Sequence, residues 1–119
     1  MTKRNRKGFT LVEMMIVVLI IGILIAIALP NFLRARENAR LRACVANMKQ
    51  IQSAIEQWGM ETKASGDTAV PTDLNAYNNW LKTIPTCPSG GIYTITGTLN
   101  TYTITCNVHG ELTAAMNSL

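Results

Sequence analysis

The chain has 119 residues, which suits one modest domain. Lysine and arginine together number 11 against 7 acidic residues, and the formal net charge of +4 would suggest nucleic-acid binding if it were spread along the chain. Four of the basic residues lie within the first seven positions, and the chain after residue 8 carries 7 basic and 7 acidic side chains. The composition therefore gives no support to a nucleic-acid-binding domain.

Residues 9–29 form an apolar run, interrupted only by Thr10, Glu13 and the small Gly22. As a helix, this run would be about 30 Å long, which matches the apolar thickness of a bilayer. It is too long for the apolar core of a secretory signal, and no A-x-A cleavage site follows it. Because basic residues precede the run, we expect a transmembrane helix with a cytoplasmic N-terminus, although the arginines between 34 and 42 argue mildly against that orientation.

Glu13 is the acidic residue within the apolar run. A carboxylate at the centre of a membrane helix costs about 2.5–3.5 kcal/mol on insertion scales, and less near an end. Two interpretations follow from the residue alone. Either the side chain reaches the membrane interface, or it awaits a cationic partner within the membrane.

The segment around Glu13 carries a family resemblance. Residues 7–13 read KGFTLVE, a basic stretch precedes them, and an unbroken apolar run ending at Pro30 follows. Over about residues 3–45 the chain resembles the prepilins of type IV pilins and type II secretion pseudopilins. The motif is specific because it is tied to a fixed position before a spanning helix.

The resemblance implies roles for individual residues. A prepilin peptidase would cut between Gly8 and Phe9 on the cytoplasmic side, and the new amino group of Phe9 would be N-methylated. Glu13 would then pair with the Phe9 amine of a neighbouring subunit during filament assembly. In such proteins the stretch between Gly22 and Pro30 can loosen in the filament, and both residues are expected at a helix kink.

Beyond Pro30 the sequence stays helical but becomes amphipathic. Apolar residues recur at spacings of three and four, which predicts one buried stripe: Leu41, Val45, Met48, Ile51, Ile55 and Trp58. One helix is expected from about residue 9 to about residue 62. The predicted organisation is a leader at 1–8, a transmembrane or filament-core helix half at 9–30, and an amphipathic helix half with a small globular head at 31–119.

The head is predicted to be α+β. A short helix is expected from Pro71 to about Leu81, capped by Thr72 or Asp73. Alternating β-branched and aromatic residues predict strands at 92–96 and 102–105, joined by a turn at 97–100. A third strand could run from Leu112 to Met116. The fold class is therefore one long N-terminal helix packed on a small antiparallel hairpin or sheet.

The three cysteines are Cys44, Cys87 and Cys106. Cys87 and Cys106 lie at the outer ends of the predicted hairpin, and a disulfide between them would stabilise the head by about 3 kcal/mol. Cys44 is expected on, or nearly on, the far side of the helix from the stripe, as a free thiol. Zinc bound by Cys87, Cys106 and His109 is an alternative, less favoured because no Cys-x-x-Cys pair is present. We therefore expect neither a metal nor another cofactor.

The predicted function is that of a structural subunit, a pilin that polymerises through its N-terminal helix into a type IV pilus or pseudopilus filament. The implied partners are further copies of the chain, the prepilin peptidase, the pilus or secretion assembly machinery and the membrane, with DNA or surfaces as further candidates for contact by the filament. The precursor would lie in the cytoplasmic membrane and the filament in the periplasm or outside the cell.

Three alternatives are weighed against this function. A membrane-anchored binding module that does not polymerise would keep an intact N-terminus and would not depend on Glu13. A minor pilin or a type II secretion pseudopilin is another alternative. Major type II pseudopilins carry a calcium-binding loop, whereas the tail of this chain has no acidic cluster that could bind calcium. The tail therefore favours a competence or type IV pilus. An enzyme is not expected, because the chain has one histidine and no recognisable catalytic constellation.

Overall fold

The computed structural model describes residues 8–119 and has the predicted α+β fold. The predicted leader, apart from Gly8, lies outside the described residues. The elements, in chain order, are helix α1 (Leu11–Glu61), a 3-10 helix (Leu74–Tyr77), strands β1 (Tyr93–Thr96), β2 (Thr103–Cys106) and β3 (Gly110–Glu111), and helix α2 (Leu112–Asn117). The chain divides into two compact units between Arg36 and Glu37.

The first unit holds the apolar part of α1. Its large apolar side chains are exposed on every face of the helix, because nothing in the unit packs over them. Within residues 8–119, α1 is the one helix long and apolar enough to cross a membrane. Such a surface is stable in lipid or against other apolar helices, but not in water.

Pro30 lies inside α1. It has no N–H group to donate to the carbonyl four residues earlier, at Ala26, and its ring crowds that carbonyl. Gly22 in the same stretch has no side chain to pack and lowers helix propensity. A kink or local loosening at these two residues, and the domain boundary drawn at residue 30, stay predictions.

The second unit is built on the amphipathic part of α1. The predicted stripe is confirmed, with Leu41 and Trp58 half-buried at its ends and the residues between them buried. The residues of α1 buried in the structure are Cys44, Val45, Met48, Ile51, Ala54, Ile55 and Gly59. Three of these, Cys44, Ala54 and Gly59, were not part of the stripe that the periodicity predicted.

The sheet is antiparallel in the order β1-β2-β3. The register places Tyr93 opposite Cys106 and Ile95 opposite Ile104. These four residues lie on one face and are buried, whereas Thr94 and Thr96 point away and are exposed. The core therefore lies between this face of the sheet and the stripe of α1.

Two predictions for the head require correction. The third strand expected from Leu112 to Met116 is wrong, because that segment is α2 and the third strand is the short Gly110–Glu111. Its sequence, LTAAMN, contains two alanines, which favour a helix over a strand. The short helix expected to reach Leu81 ends at Tyr77, although its predicted cap is confirmed: Asp73 accepts a hydrogen bond from the Asn75 backbone N–H at 2.9 Å.

The core predicts a clear contrast between two identical substitutions. Ile55→Ala removes a fully buried side chain and should lower the free energy of unfolding of the head by about 2–5 kcal/mol. Ile92→Ala, at a side chain that is 69% exposed, should have little effect. Chemical denaturation followed by the fluorescence of Trp58 and Trp80, which both pack against the core, measures the difference. Equal effects of the two variants would contradict this description of the core.

Candidate functional site

The N-terminal motif residues lie at the start of α1. Thr10 and Glu13 form a reciprocal pair: the Thr10 N–H donates to Glu13 Oε2 and the Glu13 N–H donates to Thr10 Oγ1, both at 3.3 Å. This is a capping box, a helix-start pattern that the sequence already contains as Thr-x-x-Glu. The carboxylate of Glu13 is thereby directed back towards the chain that precedes the helix.

Gly8 and Phe9 directly precede this cap. The side chain of Phe9 is 84% exposed, and a Cβ placed on Gly8 would have no neighbour within 4 Å. The peptide bond between these residues is therefore free of contacts within the described part of the chain. The three residues predicted for cleavage, methylation and assembly, Gly8, Phe9 and Glu13, lie within one short accessible segment.

A second group of reactive side chains lies in the head. One ligand atom from each of Cys44, Cys87, Cys106 and His109 lies within 4.8 Å of the other three. Cys87 Sγ is 3.6 Å from Cys106 Sγ and 3.4 Å from His109 Nδ1, and Cys106 Sγ is 3.8 Å from the same nitrogen. All three cysteines are buried, and the imidazole is half-buried.

The placement of Cys44 was predicted wrongly. It is fully buried, on the core face of α1, and not on the far side of the helix from the stripe. The helical period explains the error: Met48, Ile51 and Ile55 follow Cys44 at spacings of four, seven and eleven, so all four share one face. Treating cysteine as a small apolar residue would have placed Cys44 on the stripe.

Polar groups surround the sulfur atoms. The Tyr93 hydroxyl donates to Cys44 Sγ at 3.7 Å and accepts from Asn47 Nδ2 at 3.2 Å. The same amide nitrogen donates to the Thr86 carbonyl at 2.9 Å, which fixes the loop before Cys87. None of these polar contacts was predicted from the sequence, because the partners are distant along the chain.

The two sulfur environments differ in their effect on acidity. Burial raises the pKa of the Cys44 thiol to about 12, although the Tyr93 hydroxyl partly opposes the effect. At Cys106, burial also disfavours the thiolate and acts to raise the pKa. Hydrogen bonds from the backbone N–H groups of His109 and Val108 favour the thiolate more strongly, so the pKa of Cys106 is lowered to about 7. Cys106 is therefore the more readily deprotonated of these two thiols.

Gly91 allows the chain to pass close to the sulfur atoms. A Cβ at this position would lie 2.6 Å from Cys106 Sγ and 3.1 Å from Cys87 Sγ. The two cysteines predicted to form a disulfide are thus neighbours, and both are thiols in this structure, so the disulfide stays a prediction. Chemically, the cluster offers three sulfur donors and one nitrogen donor, a set suited to oxidation or to binding a soft metal ion.

Comparison with known proteins identifies the N-terminal region. Residues 3–29 match the model of the prokaryotic N-terminal methylation motif. This range contains the cap, Glu13 and the whole apolar run at residues 9–29. No solved structure matches the chain significantly.

Several curated proteins are similar along most of the chain. The type II secretion system core protein G of Pseudomonas aeruginosa is 30% identical over 78% of this chain and 75% of its own length. The competence protein ComGC of Bacillus subtilis is 33% identical over 78% of this chain and 92% of its own length. The type IV major pilin PilA of Myxococcus xanthus is 44% identical over 56% of this chain, but over only 30% of its own length.

The chain thus combines a helix apolar enough to cross a membrane, an accessible motif at the start of that helix, and a small α+β head. The chain belongs to the type IV pilin and type II secretion pseudopilin family. It is a filament-forming subunit made as a membrane-anchored precursor, and the relatives it matches are structural proteins.

The close approach at Gly91 predicts that the cluster has no space for an added methyl group. Gly91→Ala would push Cβ against two buried sulfur atoms and should lower the free energy of unfolding of the head by about 1–3 kcal/mol. Ser89→Ala, two positions earlier in the same loop, is the control and should have little effect. Denaturation of both variants, followed by tryptophan fluorescence, tests this; a Gly91→Ala protein as stable as the parent would contradict the packing.

Proposed function

We propose that this chain is the repeating subunit of a competence-type or type IV pilus, assembled after cleavage between Gly8 and Phe9. The observation that carries the proposal is the uncovered apolar surface of α1. Between Phe9 and Leu33 the large apolar side chains are 47–84% exposed. Lipid covers this surface in the precursor, and the helices of neighbouring subunits replace the lipid in the filament.

Glu13 sets the register between subunits. After cleavage and N-methylation, Phe9 carries a cationic amine at the very start of the helix. An ammonium and a carboxylate that meet in a medium of low dielectric constant attract strongly, whereas either alone is costly to bury. Pairing Glu13 with the Phe9 amine of a neighbour therefore favours one axial position of each subunit over the others.

The capping box supplies a rival role for the same side chain. Glu13 accepts a hydrogen bond from the Thr10 N–H within its own chain, and this contact needs no neighbour. A cap requires only a hydrogen-bond acceptor, which glutamine also provides, whereas pairing with an ammonium requires the negative charge. The two roles can therefore be separated by substitution.

Glu13→Gln and Glu13→Val test the assembly role. Glu13→Gln keeps an acceptor for the Thr10 N–H but lacks the charge, and Glu13→Val lacks both. If the charge sets the register, both variants should insert into the membrane and both should give at least about tenfold fewer filaments, the loss expected when about 1.4 kcal/mol of interaction is removed. Filaments sheared from cells and membrane-bound protein are quantified separately.

The comparison between the two variants decides the role. Normal filament yield from Glu13→Gln together with failure of Glu13→Val would contradict the pairing and leave Glu13 as a helix cap. Normal filament yield from both variants would show that assembly needs neither the charge of Glu13 nor its capping hydrogen bond. Loss of membrane-bound protein would indicate a defect before assembly, so insertion is measured in the same cells.

Because the prepilin peptidase cuts on the cytoplasmic side of the membrane, Gly8 and Phe9 must lie on that side in the precursor. The basic residues before Gly8 favour retention on that side, and the head is exported. The further partners are the assembly machinery and other copies of the chain, with DNA or surfaces contacted by the completed filament. The subunit itself acts mechanically and without catalysis, and the kink residues Gly22 and Pro30 give the helix freedom to adjust its packing.

Gly8→Val tests the cleavage. Because a Cβ at Gly8 meets nothing within 4 Å, the substitution does not disturb the described structure, and any loss of processing reflects recognition by the peptidase. We expect the precursor to accumulate with its N-terminus uncut. Gly22→Ala, also at a glycine without neighbours within 4 Å, should be cleaved normally. N-terminal sequencing and intact mass report the processing; a cut and methylated Phe9 in Gly8→Val would contradict the assignment.

The competence or type IV pilus is preferred to a type II pseudopilus on two grounds. This chain covers nearly the whole length of the Bacillus subtilis competence protein. Among residues 8–119 the group of candidate metal ligands contains sulfur and nitrogen atoms, without the carboxylates that calcium requires. A non-polymerising anchored module has no comparable support, since it leaves the motif at residues 7–13 without a role.

A further inference from the structure

We infer that Cys44, Cys87, Cys106 and His109 bind one zinc ion as a structural centre of the head. The inference is independent of filament assembly and rests on the geometry of these four side chains. They supply three sulfur atoms and one nitrogen atom, a Cys3His set that is typical of structural zinc sites. Such sites take four protein ligands and leave no position for a substrate.

The distances between the donor atoms fit this coordination. Zinc binds sulfur at about 2.3 Å and imidazole nitrogen at about 2.0–2.1 Å in a tetrahedron, so its ligands lie about 3.8 Å apart for two sulfurs and about 3.6 Å apart for sulfur and nitrogen. The Cys87 and Cys106 sulfurs are 3.6 Å apart, and they lie 3.4 and 3.8 Å from His109 Nδ1. With Cys44 Sγ within 4.8 Å of the same atoms, small side-chain rotations complete the tetrahedron.

The backbone around the ligands has the turns that such a site needs. The segment from Cys87 to Gly90 closes with a hydrogen bond from the Gly90 N–H to the Cys87 carbonyl at 3.0 Å, and Gly90 has a φ of 79°. Cys106 and His109 have the spacing Cys-x-x-His, and Gly110 after them has a φ of 84°. Each turn presents its ligand side chains to one point, and glycine supplies the left-handed conformation that ends it.

Hydrogen-bond donors are in place for the charge of the complex. Binding releases the three thiol protons to solvent, and Zn²⁺ with three thiolates and a neutral imidazole carries a net charge of −1. The Tyr93 hydroxyl donates to Cys44 Sγ at 3.7 Å, and the Asn47 amide donates to that hydroxyl at 3.2 Å. Donors of this kind orient metal ligands and stabilise thiolates.

Zinc accounts for more of the cluster than a disulfide does. A bond between Cys87 and Cys106 would use two of the four groups and would give no role to Cys44 and His109 beside it. The two states exclude each other at the same sulfurs, since the disulfide requires loss of two hydrogens to an oxidant, whereas zinc binding requires only loss of protons. The rival states are therefore distinguishable by composition.

The experiment measures metal and thiols on the full-length protein, purified in detergent without chelators. Elemental mass spectrometry should find one zinc per chain, and three thiols should become reactive only after a chelator and denaturant are added. Replacement of zinc by Co²⁺ should give the thiolate charge-transfer and tetrahedral visible bands. Protein without zinc, or with one free thiol and a mass two hydrogens lower, would overturn the inference, as would iron in place of zinc.

Variants test whether the metal uses these ligands. Cys44→Ser and His109→Gln should weaken zinc affinity at least about tenfold in competition with a chelator, although neither residue belongs to the predicted disulfide. His109 is half-buried, so His109→Gln retains a fold in which the loss can be measured if Cys44→Ser fails to fold. Val108→Ala, with a side chain 52% exposed in the same turn, is the matched control and should keep zinc. Zinc that survives both ligand substitutions would be adventitious and would overturn the site.

Discussion

The packing of the amphipathic part of α1 against the sheet is the contact on which the head depends. The strands have four, four and two residues, and a sheet of that size is marginal by itself in water. The buried residues of α1 supply much of the core, and Ile95 and Ile104 supply its centre on the sheet side. The same contact brings Cys44 close to Cys106 at the end of β2, the central strand, so the chemistry of the cluster is a consequence of helix packing.

The fold could be predicted where its signal was periodic. The spacing of three and four along α1 and the alternation of threonine with isoleucine in β1 and β2 each reflect one buried face, and both gave elements that the structure confirms. The strand expected from Leu112 to Met116 failed because five residues are too few to separate the periods of helix and strand. In this segment, the high helix propensity of the two alanines predicts the observed helix better than the periodicity does.

The two candidate sites differ in how far the sequence could reveal them. The N-terminal motif is local, because Gly8, Phe9 and Glu13 lie within six consecutive residues. The capping box can also be recognised from the sequence pattern Thr-x-x-Glu. The cysteine cluster is assembled by tertiary structure from α1, the loop at Cys87 and the turn after β2. The positions of Cys87 and Cys106 at the ends of the predicted hairpin indicated that these two residues are neighbours. The proximity of Cys44 to His109, in contrast, depends on the rotation of α1 about its axis. Only the packing against the sheet fixes that rotation.

A small head gains most from a link that joins its separate layers. A disulfide between Cys87 and Cys106 would connect the loop before β1 to the end of β2, two segments that the sheet already holds close through the pairing of Tyr93 with Cys106. A metal bound additionally by Cys44 would connect the sheet to α1, where no strand pairing acts and apolar contact is the main restraint. A metal held partly by Cys44 would therefore add a restraint between the two layers of the head, α1 and the sheet. The position of Cys44 on the core face is therefore what gives the cluster its structural value.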